Sequence, residues 1–282
     1  HSTERVTYTG HFERNKMNGK GEMTFADKSA YRGDFVDGRW EGEGEFLHAN
    51  GDRYRGGYEN NVKHGFGVFK WADGSSYEGG YVQNKWSGKG KYRHANGDEY
   101  TGSYLNGRKH GQGKFVWADS CAIYLGEYRN GVKHGFGKHV YASGDEYEGE
   151  YADNRKHGRG KLTILNGDGD VYEGPFEAGK KHGEGRVTLE SGELFDVTFD
   201  RDERVSQQRV GLGGGEGGSG GEEQGGTRGQ QGLNLEDDHD DANSVGGQFS
   251  TRRNVSLGTP SAQKSGAAAT SFPPLNNTSA WQ

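Results

Sequence analysis

Five histidines, His64, His110, His134, His157 and His182, each stand immediately before a glycine, and a ladder of imidazoles is a residue pattern that can hold a metal ion. Spacing argues against that chemistry. Ligands to one zinc each lie about 2 Å from it, whereas equivalent positions in successive two-stranded units sit about 10 Å apart. The histidines therefore read as turn residues. Gly217 to Gly221 matches the letters of a nucleophile elbow around Ser219, but within a glycine linker that has no strand before it and no helix after it. Gly88-Lys89-Gly90 lacks the rest of a phosphate-binding loop. Cys121 is the lone cysteine, so it can form no internal disulfide and points to a reducing compartment. It has no triad context and reads as an ordinary residue in the loop before Tyr124. No catalytic, cofactor-binding or metal-ligating residues are assigned, and the chain is expected not to be an enzyme.

A second pattern suits binding. Basic residues stand eight or nine positions after each of a series of tyrosines: Lys16, Arg39, Lys63, Lys85, Arg108 with Lys109, Lys133, Arg155 with Lys156, and Lys180 with Lys181. A regular cationic row can meet acidic protein surfaces or anionic lipid headgroups, or it can be a solvated edge that discourages unwanted strand pairing. Arg108, Lys109, Arg155, Lys156, Lys180 and Lys181 are the candidate binding residues, and Lys109→Ala is expected to leave stability unchanged. The 30 basic and 33 acidic residues of 1–204 leave that part at −3, which opposes strong lipid binding, and the whole chain's −6 gives no reason to expect a nucleic-acid partner.

These side chains must be placed by the repeat that carries them. Tyr-x-Gly recurs at Tyr8, Tyr31, Tyr54, Tyr77, Tyr100, Tyr124, Tyr147 and Tyr172. Counting each Tyr as zero, position +2 is Gly, +4 is Phe or Tyr, +11 and +13 are Gly, and +15 and +17 are mostly large and apolar or aromatic. Spacing by two puts such residues on one strand face. In the third repeat these are Tyr54, Gly56, Tyr58, Gly65 and Gly67, and in the fifth Tyr100, Gly102, Tyr104, Gly111 and Gly113. Asn50-Gly51, Asp73-Gly74, Asn96-Gly97, Ser143-Gly144, Asn166-Gly167 and Ser191-Gly192 separate the units and signal turns between antiparallel strands. Each unit thus reads strand, short loop, strand, turn. Glycines on an inward face call for aromatic rings lying over bare backbone. With 53 Gly and 29% hydrophobic residues the chain cannot build one compact interior of ordinary density, so the 12% aromatics must carry the packing.

The unit from Tyr54 to Gly74, with its Tyr-x-Gly-x-Tyr opening and Gly-x-Gly centre, resembles the membrane occupation and recognition nexus (MORN) repeat. The resemblance spans residues from about 8 to 200, with Phe195-Asp196-Val197 as a degenerate terminal cap. It implies an all-β, elongated antiparallel meander of about eight to nine repeats forming a single curved sheet. It also implies a family found in cytoskeletal, ciliary and membrane-junction proteins, often dimeric, and as accessory arrays on lipid kinases and lysine methyltransferases.

Residues 1–204 are therefore read as the repeat array and 205–282 as a disordered Gly/Ser-rich tail. The tail holds an acidic run, Glu236 to Asp241, phosphorylation-like patterns at Ser256 and Thr259, and isolated aromatics Phe249, Phe272 and Trp281. The function expected is a non-enzymatic protein-binding scaffold in a cytoskeletal assembly, in the cytoplasm and in a cilium, flagellum or axoneme. That version rests on likeness to radial-spoke-head proteins. Expected partners are cytoskeletal or axonemal proteins, with a homodimer and weak anionic-lipid contact behind them. Two alternatives stand beside it: a peripheral membrane module for phosphoinositides, and the accessory region of an enzyme whose catalytic domain lies elsewhere.

Overall fold

The computed structural model describes residues 6–165 and 169–211. The Asn166-Gly167 turn and every expectation placed beyond Gly211, including the Ser219 pattern, the acidic run, the phosphorylation patterns and the tail aromatics, lie outside the described residues. The strands pair two by two within repeats: β1 Thr7–Glu13 with β2 Lys16–Thr24, β3 Ala30–Val36 with β4 Arg39–Leu47, β5 Arg53–Glu59 with β6 Val62–Lys70, and β7 Ser76–Val82 with β8 Lys85–Arg93. They continue as β9 Glu99–Leu105 with β10 Arg108–Val116, β11 Ile123–Arg129 with β12 Val132–Val140, and β13 Glu146–Ala152 with β14 Arg155–Thr163. The eighth repeat is β15 Val171–Glu177 with the short β16 Lys180–Lys181 and β17 Gly183–Thr188, and the cap is β18 Leu194–Asp200 with β19 Glu203–Arg209. Each strand pairs antiparallel with its sequence neighbours, except that β16 and β17 both pair with β15, giving one all-β meander sheet of nineteen strands among the described residues. The sheet extends through Arg209, beyond the boundary expected at 204, because β19 pairs with β18 to close the cap.

Each repeat is a hairpin with a two-residue turn at +6 and +7, where the sequence suggested only a short loop. Both turn residues are left-handed, as at Asn60 (φ 49) with Asn61 (φ 69) and Asn106 (φ 51) with Gly107 (φ 83). That is the type I′ geometry whose twist matches antiparallel strands and which Asn and Gly tolerate best. The second turn residue also ties neighbouring units together. Its amide donates to the +9 carbonyl of the preceding repeat, Asn61 to Trp40 at 3.1 Å and Gly107 to Trp86 at 2.9 Å. Where that residue is Asn or Asp, its side chain takes the +9 amide in return, as Asn84 does from Lys63 at 2.8 Å and Asn154 from Lys133 at 2.7 Å. The connections between units are longer, and their Asp side chains reach one repeat onward: Asp52 accepts from the Ala72 amide at 2.9 Å and Asp98 from Ala118 at 2.8 Å.

Glycine faces glycine across every strand pair from Gly10 and Gly21 to Gly160 and Gly174. Each repeat tyrosine folds its ring over such a pair. A methyl group added at Gly102 would meet the Tyr100 ring and come within 2.6 Å of the Gly113 Cα. The tyrosine hydroxyl then donates to the carbonyl three residues on, in all eight repeats, at 2.9–3.1 Å. Positions +2 and +13 are thus glycine for the reason expected. Position +11 is glycine for another. Gly65 (φ 74), Gly88 (φ 73) and Gly111 (φ 62) occupy the left-handed region where the second strand bulges, and around Gly65 and Gly88 there is open space rather than a ring.

Candidate binding face

The repeat tyrosines and the +4 rings form a continuous zigzag along the array. Tyr31 packs edge-on against Phe35 and Tyr58, Tyr54 against Tyr58 and Tyr81, and the series runs from Phe12 to Phe199 with centroids 5.0–5.4 Å apart. Edge-to-face pairs of this kind contribute about 0.5–1.5 kcal/mol each beyond the area they bury. Tyr31, Tyr54, Tyr77, Tyr100, Tyr124 and Tyr147 have no exposed surface. Burial pushes the phenols of Tyr31, Tyr54, Tyr77, Tyr100 and Tyr147 upward, while Tyr172 near the cap is raised to about 12 by the same cause.

The basic row divides. Neighbouring residues on a strand point to opposite faces, so +8 and +9 cannot form one stripe. Arg108, Arg155 and Lys180 are exposed beside the hairpin turns. Lys109, Lys156 and Lys181 turn toward the rings. The Lys109 ammonium lies 5.1 Å from the Tyr100 centroid, Lys156 5.1 Å from Tyr141, and Lys181 4.6 Å from Phe199. Lys63 and Lys133 do the same, the latter 4.7 Å over Trp117, and Lys133 and Lys156 are buried. Desolvation lowers the Lys63 ammonium to about 8 and lowers Lys181 too, each partly countered by a nearby Asp. The six candidate residues are therefore not brought together. The signal that separates them is in the sequence: the +9 column also holds Met17, Trp40 and Trp86. Trp40 stacks flat on Tyr31 at 4.3 Å and Trp86 on Tyr77 at 4.4 Å, occupying the place the lysine stems take elsewhere.

Beside the zigzag runs a second, half-exposed aromatic row from position +17 and its neighbours: Phe25, Trp40, Phe46, His48, Trp71 and Trp117. It alternates along the first four repeats. A large +17 ring meets a tryptophan in the next unit, as Phe25 meets Trp40 and Trp71 meets Trp86, whereas His48 meets Phe69. Burial, helped by Lys63, lowers the His48 pKa and favours its neutral ring. This row is the part of the ring face open to a partner.

The opposite face is charged and ordered by register. Glu22, Arg32, Glu45 and Arg55 stand opposite one another strand by strand, and so do Lys138, Glu148, Lys161, Glu173, Arg186 and Asp196. Direct pairs include Arg32 with Glu22 at 2.8 Å and Arg186 with Asp196 at 3.0 Å. Over the last repeats this face forms an open groove of about 910 Å³ lined by Arg159, Lys161, Glu173, Arg186 and Asp196. Exposed Phe66 and Phe136 interrupt the charged face, Phe136 at the margin of the groove.

His64, His110, His134 and His157 lie within second strands, at the bulge next to the left-handed +11 glycine, rather than in turns as their sequence suggested, and His182 lies between β16 and β17. His64 Nδ1 is 3.1 Å from Glu59 and His182 Nδ1 3.3 Å from Asp200. Among the described residues no three His, Cys, Asp or Glu side chains gather to hold a metal. Cys121 is exposed, in the left-handed region (φ 56), in the loop before Tyr124.

Comparison with known proteins follows this geometry. The MORN repeat family matches residues 8–30, 31–53, 54–76, 77–99, 100–122, 124–146, 147–169 and 172–193. No curated protein matches the sequence. Among solved structures, the chain is similar to the SAS-4 (dCPAP) TCP domain of Drosophila melanogaster in complex with a proline-rich motif of Ana2 (dSTIL), at 10% identity over 68% of this chain and 88% of that one, TM-score 0.28. It is also similar to the TCP10c domain of Drosophila melanogaster Sas-4, at 13% identity over 67% and 96%, TM-score 0.30. A mutant of the TCP10 domain of Danio rerio CPAP matches at 11% identity over 73% and 99%, TM-score 0.28.

Proposed function

The chain belongs to the MORN-repeat family, and we propose that it is a non-enzymatic scaffold that gathers protein partners in a cytoskeletal assembly, in a cilium or flagellum. A MORN array is a repeat-based binding module. The observation that carries the proposal is the half-exposed row Phe25, Trp40, Phe46, His48, Trp71 and Trp117, which offers one aromatic contact after another along the sheet. Such rows give several weak contacts that act together within one complex. The axonemal setting rests on likeness to radial-spoke-head proteins and is the finer part of the proposal.

The phosphoinositide reading is weaker on this geometry. Half of the expected cationic row faces the rings, leaving Lys16, Arg39, Lys85, Arg108, Arg155 and Lys180 exposed beside the turns, interspersed with acids such as Asp37, which pairs with Lys16 at 3.3 Å. The deciding experiment is detergent extraction of cells expressing tagged protein. Retention with cytoskeletal proteins, reduced stepwise by deletion of whole repeats, is expected. Complete release by detergent, with headgroup-selective cosedimentation on anionic liposomes at physiological salt, would favour the membrane reading instead.

A further inference from the structure

The charged face is neutralised unevenly. Over the first two repeats Lys20 pairs with Asp34 and Arg32 with Glu22, both at 2.8 Å, and over the later ones Lys138 pairs with Glu146 at 2.7 Å and Arg186 with Asp196 at 3.0 Å. Repeats three to five differ. Arg55, Lys70, Lys89, Arg93 and Lys114 stand on this face, all exposed, and none has an ion-pair partner among the described residues. The acids opposite Arg55 and Arg93 are engaged elsewhere, Glu45 with Arg53 and Glu99 with Lys91. Glu78 stands among the cations, and exposed Phe66 and Leu125 flank them.

The array itself shows what fits such a place. In repeats two, six and seven the +3 side chain is a carboxylate that lies over the bulge of its own hairpin and accepts the +12 amide: Asp34 from Glu43 at 3.3 Å, Glu127 from Phe136 at 3.4 Å and Glu150 from Arg159 at 3.1 Å. Lys20, opposite Asp34 on the neighbouring strand, holds that carboxylate from the other side. In repeats three to five the +3 position is Gly57, Gly80 and Ser103, which bring no charge. Lys89 stands opposite Ser103 as Lys20 does opposite Asp34. Space is open over Gly65 and Gly88, where Asp34, Glu127 and Glu150 lie over the equivalent Gly42, Gly135 and Gly158.

We propose that the charged face of repeats three to five docks an acidic segment of a partner protein, whose Asp or Glu carboxylates take the places that Asp34, Glu127 and Glu150 fill in repeats two, six and seven. Apolar side chains of that segment meet Phe66 and Leu125. Unpaired cations in fixed register steer an acidic partner and set how it lies. A uniform polyanion, whether a phosphate backbone or a lipid surface, matches less well, because Glu78 stands among the cations and apolar residues interrupt them. This goes beyond the scaffold reading. It uses the face opposite the half-exposed aromatic row, so its failure leaves that reading standing.

Fluorescence anisotropy of a short labelled peptide of glutamates interrupted by leucines, titrated with the full chain at physiological salt, reads the docking. Binding is expected, weaker as salt is raised, and absent when glutamine replaces glutamate in the peptide. Lys70→Glu with Lys89→Glu and Lys114→Glu is expected to weaken it by at least about tenfold, whereas Arg39→Glu with Arg108→Glu and Lys180→Glu, beside the hairpin turns, changes it by less than about twofold. Ser103→Asp supplies from within the carboxylate that Asp34 supplies in repeat two, and is expected to weaken the peptide by about threefold or more. Ser103→Asn, of like shape without the charge, is expected to leave it unchanged. Melting temperatures show that each variant is folded. An unbound peptide, equal affinity for the Ser103→Asp and Ser103→Asn variants, or tighter binding of phosphatidylserine vesicles or single-stranded DNA at the same cations overturns the proposal. So does a peptide that binds only after the acids of the chain's own Glu236 to Asp241 run are changed to Asn and Gln, which would make that run the occupant.

Discussion

The Lys109 ammonium lies 4.3 Å from the centroid of the Phe115 ring. One lysine also reaches toward Tyr100 and Tyr128, 5.1 and 5.6 Å away, so its stem lies across the rings that Trp86 covers in the preceding repeat. Position +9 is thus a lid on each tyrosine, filled by methionine, tryptophan or the aliphatic stem of lysine. A long amphipathic side chain can pack this way while its charge meets the ring quadrupoles.

Lys109→Ala is therefore expected to destabilise the array by about 1–2 kcal/mol, from lost stem packing and lost cation–π attraction. Arg108→Ala, one residue away and exposed, should change stability by no more than about 0.5 kcal/mol. Urea denaturation of both variants checks the contrast. Equal midpoints would mean that the lysine only rests on the rings without holding them.

Lys63→Met is expected to stabilise at neutral pH, because Met17 fills the same column and the Lys63 ammonium is held down to about 8 by desolvation. The folded value lies below the ordinary one, so wild type gains stability as pH rises from about 8 toward 10.5. The advantage of Met should be about 1–2 kcal/mol below pH 8, once the lost cation–π contact is allowed for, and shrink above it. Thermal melts of both proteins between pH 7 and 10 follow the difference. An advantage that stays constant across that range would contradict it.

Gly102→Val should unfold or loosen the central repeats, at a cost above about 3 kcal/mol, since the added carbons meet Tyr100 and the Gly113 backbone. Tyr100→Phe keeps the ring over the glycines and removes only its 3.1 Å bond to the Ser103 carbonyl. Its cost should be about 1 kcal/mol. If the two variants melt alike, ring-over-glycine packing is not what holds the repeat.

Much of this was legible in the residues, and the rest failed for identifiable reasons. Parity from Tyr54 through Gly56 to Tyr58 correctly placed one strand face, and the +13 glycine followed. Asn-Gly pairs between units drew attention to the longer connections, while the tight turns at Gln83-Asn84 and Ala178-Gly179 were hidden by variable residues whose shared property is backbone conformation. Lys109 and Lys156 were grouped with Arg108 and Arg155 by charge, although the tryptophans in the same column marked that position as inward. The alternation of Trp71 with His48 and His94 over a two-repeat period shows only when each unit's contacts with the next are known.

Alkaline pH should unfold the array sharply. Burial raises the phenols of Tyr31, Tyr54, Tyr77, Tyr100 and Tyr147 above their ordinary value. A group raised in the folded state leaves stability untouched below its unfolded pKa near 10 and removes it as pH climbs from there toward the folded value. Five such groups together withdraw about 7 kcal/mol per pH unit once that range is entered. Because each ring also packs against its neighbours in the zigzag, loss of one tyrosine's seat exposes the next. Phenolate absorbance and far-UV circular dichroism should therefore change together, in one step within about one to two pH units above 10. Gradual phenolate formation with an unchanged circular dichroism spectrum would mean that the rings are reachable by solvent in the folded sheet.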